Sequence, residues 1–554
     1  MNQKEKPDWR ALSPVVRLAL GAAVLLVAAL AVYWPGLNGG YILDDDLWVN
    51  ASRKTFAGLM EIWRASKTPD FFPLTSTTFW LEWPLWGLDP LGYHLVNVLI
   101  HWASAVVLWR VLRRLAIPGA WLGAMLFVVH PVNVESVIWI SQRKNTLSMF
   151  FFLSTLWGYV RSEEKSGEDP EKLEPPSSFY YGLSLFFFVL ALLSKTAVVM
   201  LPVVLLGCAW WLRGRIVLRD WLRSLPFFGL AATLGVVTIC LQTSRAIGAD
   251  VVNTADFWGR LTGAGRAVWF YFEKAVWPMN LAFVYPRWEL NGHLAAAYLP
   301  LAAMVLVAGI LWWYRRTTMG RSLCFALGYF VVMLLPVLGF VDIYYFRYSR
   351  VADHWQYYSL IGIIALAAGW LGASFKFQLS HFKLWLTVII VAGLSVSAWR
   401  QVRLYRSPDV LWENLLVKDP ACWLAHNLLG HRAGFTPGAA AHFRASLRLK
   451  PDQMEALLNL GAIELRLNLD DEAMADYAQA KKIAPNVPMV EVGLGLVYEK
   501  CTNLLAAEAA FRRATKLEPD NALYHRLLGS ALQAEGLLFQ SLVEKRSCAN
   551  GSGR

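Results

Sequence analysis

Three consecutive carboxylates, Asp44, Asp45 and Asp46, follow an apolar run that ends near Tyr33. Carboxylates set side by side repel one another and can raise one another's pKa. Such a group suits a general base, a metal site or both; the bland alternative is a solvated acidic turn. A second constellation is His130, Pro131, Glu135 and Arg143. His and Glu five residues apart do not share a helical face as i, i+3 or i, i+4 pairs do. Pro131 distorts the helix there, which would let both side chains point into one space. The alternative is an interfacial histidine beside a Glu135–Arg143 ion pair. Lys195, in Leu193-Ser194-Lys195-Thr196, can snorkel without a function or hold a phosphate as a point charge. The aromatic loop from Tyr344 to His354 carries Arg347, Arg350, Asp353 and His354. Its two arginines suit a phosphate, or else serve as basic anchors in an interfacial aromatic belt.

The composition says what must hold these groups. Of 554 residues 56% are hydrophobic and 17% charged, against about 25% charged in a soluble domain. The main solvent is therefore lipid. The 27 tryptophans suit the membrane–water interface. The net charge of +12 sits in short clusters between apolar runs. That reads as topogenic charge and contact with anionic headgroups, not as a nucleic-acid surface. The six cysteines have no metal-ligand spacing and read as packing residues.

The apolar spans expected are 15–34, 93–112, 119–136, 144–160, 179–195, 197–213, 225–243, 295–314, 322–341, 355–373 and 383–400. Most approach the ~20 residues that cross ~30 Å of hydrocarbon. The first reads as a retained anchor, since no small-residue cleavage signal follows it. Segment 257–279 is aromatic and half apolar, and is placed as an interfacial or re-entrant helix. That choice sends Lys4, Lys6, Arg10, Arg17, Arg110, Arg113, Arg114, Arg213, Arg215, Arg219, Arg223, Arg315, Arg316, Arg321, Lys376 and Lys383 to one face, the cytoplasm. Loop 161–178 falls there too. The opposite face receives a long first loop, 35–92, with the sequon Asn50-Ala51-Ser52, and the C-terminal part of the chain.

That part repeats. Pro420, Pro451, Pro485 and Pro519 are 31, 34 and 34 residues apart, and each is followed after ten residues by a glycine: Gly430, Gly461, Gly495 and Gly529. Ala439 and Phe443, Ala473 and Tyr477, and Ala507 and Phe511 give an Ala-x3-aromatic pattern ahead of three of the prolines. This is a tetratricopeptide period. Small residues let two helices approach, the aromatic fills the gap to the next repeat, and the proline ends the second helix. The expected class is all-α: a polytopic bundle of about eleven spans over 1–402, a tetratricopeptide solenoid over 403–546, and a disordered tail over 547–554.

The acidic cluster, Phe72-Pro73-Leu74-Thr75, Gly92-Tyr93-His94-Leu95-Val96-Asn97 leading to His101, His130-Pro131-Val132 with Glu135, Ser194-Lys195 and the repeats together resemble the TMTC family. These are transmembrane and tetratricopeptide-repeat proteins of the GT-C glycosyltransferase class. The resemblance implies a sugar donor carried on polyprenyl or dolichyl phosphate, mannose among the candidate sugars. It also implies an acceptor hydroxyl, typically a protein Ser or Thr, on the lumenal or periplasmic side. Carried over, Asp44 and Asp45 are the acidic pair with Asp46 as neighbour. Glu135 is the second-loop acid, His130 shapes the site, and Lys195 contacts the donor phosphate. Phe72, Thr196 and Val351-Ala352-Asp353-His354 depart from the family's pattern.

The expected reaction is one inverting displacement. Asp44 or Asp45 takes the acceptor proton, while Lys195 with Arg347 or Arg350 steadies the leaving phosphate, with or without a divalent cation. Asp46, His130, Arg143 and His354 complete the expected substrate contacts. The repeats would bind the acceptor or a partner protein. A bacterial inner membrane with repeats in the periplasm is the expected location, or the ER membrane in a eukaryote. Two other classes compete: an inert membrane-anchored scaffold, and a transporter. The second would place charges at the bilayer midplane and repeat its spans, and neither is evident.

Overall fold

The computed structural model describes residues 13–49, 55–64, 70–164, 178–248, 252–373, 377–536 and 540. Lys4, Lys6, Arg10, Lys376, the sequon at 50–52, residues 165–177 of the basic loop and the tail 547–554 lie outside the described residues. The described elements are all helical. Two compact units divide the chain, Met1–Leu411 and Trp412–Arg554.

The first unit contains α1 (Pro14–Tyr33), α2 (Asp45–Val49), α3 (Phe56–Arg64), α4 (Pro73–Trp86), α5 (Pro90–Arg114), α6 (Ala120–Val129), α7 (Val134–Ile138) and α8 (Arg143–Glu164). It continues with α9 (Ser178–Ser194), α10 (Leu201–Arg213), α11 (Leu218–Leu241), α12 (Phe257–Val276), α13 (Leu299–Trp313), α14 (Thr318–Leu334), α15 (Leu360–Gly372) and α16 (Phe377–Leu404). Among the described residues seven helical runs are long and apolar enough to cross a bilayer: Pro14–Gly36, Pro90–Arg114, Thr196–Arg213, Leu218–Ile247, Ala295–Trp313, Thr318–Val337 and His381–Leu404. The pair α6 and α7 makes an eighth, bent by 54°. Pro131 sits at the break, where it can neither donate a helical hydrogen bond nor fit its ring against the preceding turn. The other three expected spans are α9 and α15, which are short, and α8, which carries charge at both ends. α12 stands where an interfacial helix is expected and is not among the seven.

Local signals set the helix ends. Asp89 caps α5 by accepting from Leu91 N at 3.0 Å, Pro90 opens its first turn, and Arg113 and Arg114 close its last. Those charges oppose the helix dipole favourably at each end.

The bundle is electrically polar. Arg110 and Arg114 lie over the Trp157 ring, Arg161 over Tyr180, and Arg321 over Trp211. Glu163 pairs with both Arg213 and Arg223. Basic residues from four separate turns therefore gather at one end. Gly119 takes φ +68° there and packs against Gly372, where a Cβ would strike its backbone. The long first loop is not irregular: it contains α2, α3 and α4.

Helix α17 (Pro408–Lys418) contains the point where the chain divides, and in the second unit helices α18 (Trp423–Arg432) to α24 (Ala522–Ala534) form the repeats, with α19 (Pro437–Leu449), α20 (Met454–Arg466), α21 (Asp470–Ile483), α22 (Pro488–Lys500) and α23 (Leu504–Leu517) between them. Pro451, Pro485 and Pro519 each stand two residues beyond a helix end. Phe443, Tyr477 and Phe511 pack on Gly430, Gly461 and Gly495 within their own repeats. Tyr477 also presses on Gly493 of the following repeat, so this ring does both jobs. A Cβ on Gly495 would meet the Phe511 ring at 2.5 Å. Gly495→Val should therefore destabilise the repeat unit by about 1–3 kcal/mol through overpacking, read as a lower unfolding midpoint of the purified chain.

Candidate functional site

The head of α8 organises the site. Ser141, Gln142, Arg143, Lys144, Asn145 and Thr146 are six consecutive polar residues, all buried. Polar groups out of water must find partners. Arg143 is fully buried and engages all its donors. Nε donates to Asn97 Oδ1 and Nη1 to Glu82 Oε1, with a longer contact to Thr78 Oγ1 at 3.4 Å. Nη2 donates to Glu82 Oε2 at 3.2 Å and to the Tyr93 carbonyl at 2.9 Å. Its guanidinium also covers the Phe79 ring. The sequence reading is corrected here: Arg143 pairs with Glu82, not Glu135, and has no donor left for a substrate. It is a positioning residue that ties α8 to α4 and α5.

Ser141, two residues earlier, receives the aspartates. Leu43 takes φ +51°, turning the chain into α2. Asp45 is fully buried, with Oδ2 accepting from Ile42 N at 2.9 Å and Oδ1 from Ser141 N at 2.7 Å. Burial first, and the charge of Asp44 second, push its pKa well above the usual carboxylate range. The two backbone N–H bonds and Lys144 pull the other way. Asp44 is half-buried; it accepts from Ser141 Oγ at 2.8 Å and Trp48 Nε1 at 3.2 Å. Asp46 is exposed and its carboxylate takes Leu47 N at 3.0 Å. The triad expected from sequence is thus a pair plus a solvated neighbour. Among the described residues no group of three or more His, Cys, Asp or Glu converges as metal ligands.

The bend at Pro131 brings Glu135 to the loop before α15. Glu135 Oε1 meets His354 Nδ1 at 2.9 Å and Oε2 accepts from His354 N at 3.1 Å. Burial, then the charges of Lys195 and Lys144, hold the His354 imidazole well below its ordinary pKa. The contact is a hydrogen bond between the ring and the carboxyl group. Asn145 links this pair to the lysine: Nδ2 donates to the His354 carbonyl at 3.0 Å, and Oδ1 accepts from Lys195 Nζ at 2.7 Å. Asp44, Asp70, Glu135 and Lys144 all act electrostatically on Lys195. Lys144, with Nζ 5.1 Å from the Trp48 ring centroid, acts on Asp45, Lys195 and His354 alike. The early aspartates, Glu135, His354 and Lys195 therefore form one electrostatic neighbourhood.

Other expected contacts go elsewhere. His130 Nε2 bonds the Ala275 carbonyl at 3.1 Å and Nδ1 accepts from Val132 N at 3.3 Å, so the ring is consumed in holding the bend. Arg347 stacks on Tyr344 and Tyr348. Arg350 has Arg287, Arg260 and Asp342 as charged neighbours, apart from the carboxylate cluster. Lys144, Asn145, Ser141, Glu82 and Asp353 were not singled out as site residues from sequence. Asp353, buried and accepting from Tyr285 OH at 2.8 Å, places a second carboxylate near Glu135. Six polar residues in a row at the head of an apolar helix were the available signal.

Tetratricopeptide-repeat descriptions match residues 432–488 and 492–521. The chain is 24% identical to the human protein O-mannosyl-transferase TMTC3 over 88% of its own length and 60% of that protein. The mouse TMTC3 gives 24% over 90% and 60%. The chain is TMTC-like. It spans about 60% of the length of these relatives. Human protein O-mannosyl-transferase TMTC4 is 28% identical over 31% of this chain and 27% of that protein. Among solved structures, mycobacterial arabinofuranosyltransferase AftD covers 71% of this chain and 27% of its own at TM-score 0.38 and 17% identity. MamA covers 26% of the chain and 86% of its own at TM-score 0.25 and 18% identity. Scores of this size carry no argument.

Two outcomes follow for the TMTC-like chain. Arg143→Gln leaves the part-buried Glu82 without its cation and should cost up to about 3–5 kcal/mol, visible as a lower unfolding midpoint in detergent. A depressed histidine pKa means the unfolded chain takes the proton first, at about 6.5. The stability tied to His354 is full above that value and is lost as pH falls below it. His354→Gln should flatten the fall of the unfolding midpoint between about pH 7 and pH 5.

Proposed function

We propose that this TMTC-like chain is a membrane glycosyltransferase. It moves a sugar, mannose first among the candidates, from a polyprenyl-phosphate carrier to an acceptor hydroxyl of a protein Ser or Thr. The observation that carries the reading is the convergence of Asp44 and Lys195 on one electrostatic neighbourhood, floored by buried Asp45 and the Glu135–His354 pair. The relatives it matches are named protein O-mannosyl-transferases, and tetratricopeptide repeats offer a surface for a protein acceptor.

Roles divide by exposure. Asp45 has both oxygens held by backbone N–H groups and no open face, so it holds the turn. Asp44 is half-buried and is the carboxylate an acceptor can reach. Its oxygen takes the hydroxyl proton as the acceptor oxygen attacks the anomeric carbon. The bond to the carrier phosphate breaks on the opposite side, which inverts the centre. Lys195, steadied by Asn145, and Lys144 offset the charge gathering on the leaving phosphate. The gathering of basic residues at the other end of the bundle supports an extracytoplasmic face for this chemistry.

Asp44→Asn should lower sugar transfer from a polyprenyl-phosphate donor by ~10²–10⁴ with little change in the unfolding midpoint. Asp45→Asn sets an amide N–H against a backbone N–H and should lower both. Unchanged transfer in the Asp44 variant would remove Asp44 as the base, and absence of transfer by the unaltered chain would leave the inert scaffold as the better reading.

A further inference from the structure

A pocket lies apart from the carboxylates. It is walled by α12 through Ala267, by Trp288 and Leu290, by Leu338 after α14, and by Phe346. Two polar side chains on its lining are unsatisfied. Asn253 is 9% exposed, and its Nδ2 is buried without a hydrogen-bond partner. Arg350 Nε is in the same state, and its guanidinium lies over the Phe346 ring. Arg260, also on the lining, donates to the Gly339 carbonyl at 3.2 Å and pairs with Asp342 at 2.9 Å.

Positive charge gathers beside this pocket. Arg287 and Arg260 both act on Arg350, and Asp342 acts on it in the opposite sense. Burial, then its two arginine neighbours, pull Arg350 down to about 10, still charged at neutral pH. Buried donors without acceptors are costly, and like charges brought together are costlier. Both costs vanish if an anion enters. A guanidinium and an amide suit the several acceptor oxygens of a phosphoryl group. The apolar wall beside them would take whatever body that group is attached to.

We infer that this pocket is an anion site for a phosphoryl group, separate from the neighbourhood of Asp44 and Lys195. The group's source is a lipid headgroup or a free phosphate, and the two differ in whether the apolar wall contributes. Neither source requires the transferase reading, because no residue of the pocket belongs to the carboxylate cluster.

The test uses the full chain in uncharged detergent, in a Lys195→Gln background that removes the donor-phosphate contact proposed above. Thermal-shift titrations with inorganic phosphate and with dodecyl phosphate give apparent affinities. Saturable binding of either probe is expected. Arg350→Gln should weaken it about tenfold or more, the scale of one charge-assisted hydrogen bond. Asn253→Asp keeps the acceptor that takes Ala255 N at 3.1 Å but turns the free amide into a negative charge, and should weaken it as much. Tight binding of dodecyl phosphate alone identifies a lipid-borne group; equal binding of both probes identifies free phosphate. Absence of saturable binding, or titrations unchanged in both variants, overturns the site.

Discussion

A guanidinium buried without water has to be neutralised and fully hydrogen-bonded, and the arrangement around Arg143 follows from that demand. Its partners come from Glu82 on α4 and from Asn97 and the Tyr93 carbonyl on α5. A flexible loop could not supply them at fixed geometry, so the long first loop folds into helices that can. Once α4, α5 and α8 are locked together, the neighbours of Arg143 have no freedom left. Ser141 meets the aspartates, Asn145 meets the lysine and the His354 carbonyl, and Lys144 sits among all of them. Breaking such a pair costs more than forming it gains, because the abandoned charge stays buried. Its value here is positional.

The adjacent aspartates show how neighbours in sequence take different work from one turn. Asp45 faces inward and spends both oxygens on backbone N–H groups. Asp44 keeps one face open while a serine hydroxyl and an indole N–H orient it. The third carboxylate turns to water. A run of like charges is costly to keep together, and the chain relieves it by dividing the three among a buried, a half-buried and an exposed position.

Much of this was legible from the residues. Apolar run lengths gave seven of the eleven expected spans and the bent eighth, because lipid permits few alternatives to a helix. The proline and glycine spacing gave the repeats. Pro131 gave the bend. The pairing of polar groups was not legible, because each choice depends on packing between distant segments. Glu135 had Arg143 eight residues away as an obvious partner and instead meets His354, 219 residues on. His130 looked free to shape a site, yet both ring nitrogens serve the backbone. Arg347 and Arg350 stand three residues apart and face different surroundings: Tyr344 and Tyr348 take the first, and Phe346 with the charges of Arg287, Arg260 and Asp342 surrounds the second.

The sequence distance of these contacts has a bearing on biogenesis. Asp45 reaches Ser141 across 96 residues, Lys195 reaches Asn145 across 50, and Glu135 waits for His354 across 219. Contacts so far apart form slowly, and synthesis delivers their members in order. A growing chain holding only its first spans has Arg143 and Glu82 to pin together, but leaves Glu135 without the imidazole that completes its cluster. The polar centre is finished only when the loop before α15 arrives, so it is the late closing step of membrane assembly, and a chain arrested earlier carries an unmet buried acid.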